Sequence, residues 1–174
     1  MSPGGFRAEG TFSNSKRTYS YGTHAAHVTV DPRTGQVAVL DYVAVEDVGR
    51  ILNPNTLHGQ SLGAIVQGLG GTLLEAMVYD GEGQLLTGSL AAYLIPCATD
   101  FPRIRAVSLE QYPSPLNPLG AKGAGEGGII PVGGVIANAI ASALSSLGVQ
   151  TNALPLTQPR VWQLMEAARQ AKRA

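Results

Sequence analysis

The sequence predicts an α+β fold, a mostly antiparallel sheet with helices packed on it. Two β-branched, alternating runs at 24–30 and 36–48 flank a short turn. The stretch 57–77 repeats apolar residues near every 3.6 positions. Two more helical stretches follow the last strand-like run, so strands and helices do not alternate as they would in a doubly wound sheet.

Taken in order, residues 1–22 are rich in Gly, Ser and Thr and read as an extended arm, ending in a strand through Tyr19 and Tyr21. Residues 23–174 then form one domain. The turn between the first two strands is Asp31-Pro-Arg-Thr-Gly35, with Pro and Gly where turns favour them. A loop follows, and Asn55 or Thr56 caps the helix over 57–77. Its apolar positions are Leu62, Ile65, Val66, Leu69, Leu73, Leu74 and Met77. It also carries Gly59, Gly63, Gly68, Gly70 and Gly71. Each glycine costs about 1 kcal/mol relative to Ala. Such a helix needs close approach by a sheet, another backbone or a flat ligand.

Residues 80–83 form a turn, and 85–87 and 91–95 read as short strands, with Pro96 ending the second. Residues 104–112 alternate as another strand. Pro113, Pro115 and Pro118 then predict a stiff extended connector. After a glycine-rich stretch at 120–128, Pro131 opens a helix over 132–147 that Gly148 ends. A last helix runs over 159–171, with Arg169, Lys172 and Arg173 at its C-terminal end.

Charge narrows the function. The chain has 174 residues, only 14% of them charged, with 12 basic and 12 acidic side chains. A neutral, weakly charged chain excludes a nucleic-acid footprint. Either its surface takes its polarity from uncharged side chains, or much of it is buried in a larger assembly. One cysteine, Cys97, excludes an internal disulfide, and it reads as a small buried residue. His24, His27 and His58 are too scattered for a zinc cage. His24 and His27 lie three apart on a strand and face opposite sides. No secretory signal opens the sequence, and the uncharged run 127–159 is too interrupted by Pro, Asn, Ser and Gly to span a membrane. A cytoplasmic location is expected.

Gly123, Gly125 and Gly128 match a dinucleotide-binding spacing, but a proline-rich connector precedes them and no acid follows before Glu166. What stands out is Glu126, a lone carboxylate among glycines before a long uncharged stretch. It reads either as a partly desolvated base or as an exposed loop residue. His58 and Gln60 fall in the first turn predicted for the glycine-rich helix, where polar ligand atoms are favoured, and Gln67 lies mid-helix. Each of these three also fits a solvent-facing residue.

Asn53-Pro54, Gly59-Gln60, Gln67-Gly-Leu-Gly70, Leu74-Glu75, Tyr93-Leu-Ile-Pro96, Lys122-Gly-Ala-Gly-Glu126 and the helix around Asn138 occur in an order and spacing that resembles the molybdenum hydroxylases. These are the xanthine dehydrogenase and aldehyde oxidase family, and the bacterial carbon monoxide dehydrogenase large subunits are the most similar branch. The resemblance implies the C-terminal, molybdopterin-binding part of a large subunit. It makes Glu126 the general base and Gln60 a hydrogen-bonding partner of the cofactor. It implies molybdenum held by molybdopterin, in its cytosine dinucleotide form, and by no protein side chain. The cofactor would be shared with an upstream region, with Fe–S clusters and FAD on partner subunits of a homo- or hetero-oligomer. The substrate would be an aldehyde, a heterocycle or carbon monoxide. Copper is not assigned, because Cys97 is not at the position of the copper-site cysteine. The chain alone is expected to be inactive and to hold no molybdenum tightly. The alternative is a non-catalytic interaction domain that retains the fold.

Overall fold

The computed structural model describes residues 4–101 and 103–173. Their regular elements run β1 (Tyr21–Val30), β2 (Val37–Asp47), α1 (Pro54–Leu73), β3 (Ile104–Leu109), α2 (Val132–Ala143), a 3₁₀ turn (Ser145–Leu147) and α3 (Gln158–Ala171). The three strands form one sheet in the order β1-β2-β3. β1 and β2 are the expected antiparallel hairpin. β3 lies parallel to β2, because α1 and the segment after it carry the chain back to the strand's starting end.

The hairpin turn is as the sequence predicts. The Gly35 amide donates to the Asp31 carbonyl at 2.9 Å, and the Arg33 amide donates to the Asp31 carboxylate at 2.8 Å. Gly35 adopts φ +75°, and a Cβ there would lie 2.6 Å from the Trp162 amide nitrogen, so the turn docks on α3 through a residue that must lack a side chain.

The strands do not pair straight through. His27 pairs with Asp41 but Val28 pairs with Val39, so Leu40 is an extra residue in β2. This bulge lets Val39 and Tyr42, three apart, both face the core.

α1 begins earlier than the periodicity indicates. Its cap is Asn53, not Asn55 or Thr56: the Asn53 side chain accepts from the Thr56 amide at 3.1 Å, with Pro54 in the first helical position. The helix ends at Leu73, where the Leu74 and Glu75 amides both donate to the Gly70 carbonyl. Its buried face is Ser61, Ala64, Ile65, Gly68, Leu69 and Thr72, so small residues carry much of it, while Met77 lies beyond the helix and is exposed. Two of the five glycines have the close neighbour they were predicted to need. Gly68 receives Val132 of α2, and Gly70 receives Pro96.

The crossover from α1 to β3 contains neither predicted strand. Tyr79 and Leu85 form an isolated bridge, and residues 89–93 close a turn in which Tyr93 and Ala92 donate to the Ser89 carbonyl. Alternation without a neighbouring sheet edge produces no strand. Cys97 is exposed rather than buried.

The proline-bearing segment after β3 is a compact turn and not an extended connector. The Ser114 amide donates to the Gly120 carbonyl at 2.9 Å, and Gly120 adopts φ +70°. α2 is shorter than predicted, with a 3₁₀ turn after it and Gly148 in the left-handed conformation at its end. The core joins the sheet, α1, α2 and α3 through Tyr42, Ile65, Leu69, Ile136, Ile140, Leu156 and Met165. Among the described residues no helix is long and apolar enough to cross a membrane.

Candidate cofactor and base site

The chain between Gly120 and Pro131 lies along the end of the sheet, pinned on its N-terminal side by strand-like pairing. The Arg50 amide donates to the Gly120 carbonyl and the Lys122 amide to the Val48 carbonyl, both at 3.0 Å. Lys122 then turns inward, and its ammonium lies 2.8 Å from the Asp47 carboxylate with both side chains buried. Asp47 also accepts from the Gly49 amide at 3.0 Å and from the Gln111 and Tyr112 amides at 3.0 and 3.1 Å. The Lys122 bond, then these backbone donors, holds the Asp47 carboxyl below the usual carboxylate range. The same ammonium sits 4.3 Å from the centre of the Tyr21 ring.

The two residues assigned to chemistry are brought together. The Gln60 side-chain amide, on α1, donates to the Gly125 carbonyl at 2.9 Å, next to Glu126. His58 and Gln60 lie beyond the first turn of α1, because the helix starts at Pro54. His58, Gln67 and Gln60 are all exposed. Glu126 is exposed too, so the described residues do not supply the desolvation expected of it. Lys122, the only Lys or Arg between Arg105 and Arg160, is committed to Asp47, and Glu126 has no ion-pair partner among the described residues.

The glycines of this segment differ in what they face. Gly125 has open space where a Cβ would be. Gly127 rests on the Glu46 carboxylate, and Gly128 rests on the Ser61 carbonyl and Ala64 of α1. Two cavities flank the segment. One of about 590 Å³ is lined by Glu126, Gly125, Gly127, Tyr21, His24 and Glu46. The other, of about 300 Å³, is lined by Gln60, Asn53, Leu52, Leu57, Lys122 and Gly125.

This arrangement suits a flat, hydrogen-bonding cofactor at the second cavity. Gly125 leaves an open face beside Gln60, whose carbonyl oxygen meets no donor among the described residues, and Leu52 and Leu57 give apolar walls. Sequence reasoning missed two features, the Asp47–Lys122 pair and a buried His24–Tyr42–Glu46 network. The second carried a signal: Tyr42, Ala44 and Glu46 recur every second residue on one strand face, so a carboxylate falls on the face that carries the core.

Residues 2–102 match the molybdopterin cofactor-binding domain family. The 6-hydroxypseudooxynicotine dehydrogenase complex subunit gamma of Paenarthrobacter nicotinovorans is 38% identical over 97% of this chain and 21% of its own length. Among solved structures, quinoline 2-oxidoreductase from Pseudomonas putida 86 is 42% identical with a TM-score of 0.81, over 84% of this chain and 19% of that one. A Cu,Mo-containing CO dehydrogenase superposes with a TM-score of 0.86 at 25% identity, over 91% of this chain and 20% of that one. The chain thus spans about a fifth of the length of the curated relatives it matches. Its relatives are molybdenum-binding large subunits of oxidoreductases. The matched domain and the fold agree, and the chain belongs to the molybdenum hydroxylase family through its molybdopterin cofactor-binding domain.

Proposed function

We propose that this chain supplies the general base and part of the molybdopterin site of a molybdenum hydroxylase, completed by a further large-subunit region or a separate chain. The observation that carries this reading is the Gln60–Gly125 hydrogen bond, which joins the cofactor residue to the backbone beside the base. When bound, molybdopterin with its molybdenum, in the cytosine dinucleotide form, supplies the redox chemistry of substrate hydroxylation. The protein's own residues position and move protons. Gln60 offers its carbonyl oxygen to the cofactor's edge while its amide holds the Gly125 backbone. Glu126 accepts the proton at its carboxylate, which no cation of its own loop neutralises.

In the chain as described Glu126 is exposed. The completing region therefore has to exclude water from it, which raises its basicity toward neutral pH. This is why the chain alone is inactive under this proposal. Partner subunits carrying Fe–S clusters and FAD complete a cytoplasmic complex; the name of the gamma subunit relative, that of a complex component, supports the multi-subunit part of this reading. Of aldehyde, heterocycle and carbon monoxide, a nitrogen heterocycle is favoured, since two relatives are named for quinoline and for a nicotine derivative.

The test is Glu126→Gln in the reconstituted complex. Turnover should fall by roughly 10²–10⁴ with molybdenum content unchanged. Retained turnover would remove the base role. It would favour the second reading, a non-catalytic interaction domain, which the exposure of both Glu126 and Gln60 also fits.

A further inference from the structure

A buried polar network lies under the Glu126 turn and is not used by the function just proposed. In the register of the bulged hairpin, His24 stands opposite Ala44, between Tyr42 and Glu46 on the same face of β2. The His24 Nδ1 is 2.8 Å from the Tyr42 hydroxyl, and its Nε2 is 3.3 Å from Glu46 Oε1. The His24 and Glu46 side chains are 1% and 9% exposed. Burial, then the Glu46 charge, keeps the Tyr42 phenol protonated. The two ring nitrogens of His24 thus bridge the Tyr42 hydroxyl and the Glu46 carboxylate.

Glu46 is gripped by two glycines. A Cβ on Gly22 of β1 would lie 2.9 Å from Glu46 Cγ. A Cβ on Gly127 would lie 2.7 Å from Oε1, 3.2 Å from Cδ and 3.3 Å from Oε2. The backbone at residue 127 thus lies directly on the carboxylate. The Glu126 carbonyl accepts from the Ile129 and Ile130 amides at 3.2 and 3.4 Å, so residues 126–130 form one turn. Displacement of Gly127 displaces Glu126 with it. A buried ionisable pair is a poor source of stability compared with apolar side chains of similar volume. Its contribution here is fixed geometry, because a bonded carboxylate has one orientation where an alkyl group has several rotamers.

We propose that Glu46 is a positioning residue, whose carboxylate, held by His24, is the floor that sets the turn carrying Glu126. This rests on the reading of Glu126 as the base. The test compares Glu46→Ala and Glu46→Gln. Hydrogen exchange at the Ile129 and Ile130 amides is read on the chain itself, and kcat and KM are read in the reconstituted complex. Glu46→Ala should speed exchange at these amides at least about tenfold. It should lower kcat roughly tenfold to a hundredfold, with KM within about twofold. Glu46→Gln keeps the shape and an acceptor for His24, and should stay near the parent in both.

Unchanged exchange in Glu46→Ala overturns the proposal, as does a Glu46→Gln variant as impaired as Glu46→Ala. Should Glu46→Ala not fold, Gly127→Ala probes the same contact from the turn. It should speed exchange there too, and an unaffected Gly127→Ala also overturns the proposal. If exchange responds as expected but Glu126→Gln retains turnover, the base reading falls and the floor beneath the turn stands.

Discussion

Two glycines three residues apart should respond very differently to the same added methyl group. At Gly128 a Cβ would lie 2.7 Å from the Ser61 carbonyl oxygen, 2.9 Å from Ala64 Cβ and 3.4 Å from Ile65 Cγ1. The first contact is backbone inside α1 and cannot rotate away. The segment must therefore lift off the helix or the helix must shift. Overpacking of this kind costs about 1–3 kcal/mol. Ala stiffens the unfolded chain, which returns about 0.4–1 kcal/mol. The net loss for Gly128→Ala is then about 1–2 kcal/mol, or a fall in Tm of roughly 2–8 °C for a chain of this length. At Gly125 no atom lies within 4 Å of the same Cβ, so Gly125→Ala should stay within about 0.5 kcal/mol of the parent. Differential scanning calorimetry on the two variants and the parent decides it. Gly128→Ala melting at or above the parent would refute the tight seating of the turn on α1, and with it the account of how Glu126 is placed.

Two further outcomes follow from the local chemistry. The Asp47 carboxyl is depressed in the folded chain, by Lys122 first and then by the Gly49 and Tyr112 amides. Its contribution is therefore complete above the unfolded pKa and is lost as pH falls below about 4. Urea midpoints measured downward from pH 5 should fall for the parent and fall less steeply for Lys122→Met, which lacks the main cause of the depression; equal slopes would contradict this. Asn53→Ala removes the side-chain acceptor of the Thr56 amide and should cost about 1 kcal/mol, read by thermal melting.

The hairpin, its turn, the glycine-bearing helix and the last helix were legible because each depends on local chemistry. β-branched alternation, an Asp-Pro…Gly turn and a 3.6-residue repeat need no knowledge of the partner. The strands assigned at 85–87 and 91–95 do not form because the first meets only the short Val78–Tyr79 stretch, in a single bridge, and the second folds into a turn on the Ser89 carbonyl. The proline segment misled for a related reason. Gly120 reverses it so that residues 120–122 return to Val48 and Arg50, a long-range pairing that proline stiffness does not reveal. Glu126 and Gln60 were legible as a motif, but their bridge through the Gly125 carbonyl was not. The His24–Glu46 pair was hidden by one residue. Were Leu40 paired instead of bulged, His24 would stand opposite Val43, and its side chain would share a face with Val43 rather than with Tyr42 and Glu46.

Most of the charge around this site is already paired. Of the charged residues near the turn, Asp47 and Lys122 neutralise each other and Glu46 is bonded to His24, so Glu126 is the one carboxylate left free at the cavity. A second free cation there would pair with Glu126 and compete for its carboxylate. The low charge content of the chain and the exposed apolar crossover, with Met77, Tyr79, Leu86, Leu90 and Ile95 open to solvent, then have one cause under the proposed function. Exposed large apolar side chains gathered on one segment suit a contact surface. Under the proposed function, a region that closes over Glu126 would exclude water from it, and burial of the crossover by the same or another chain would account for its exposed apolar side chains.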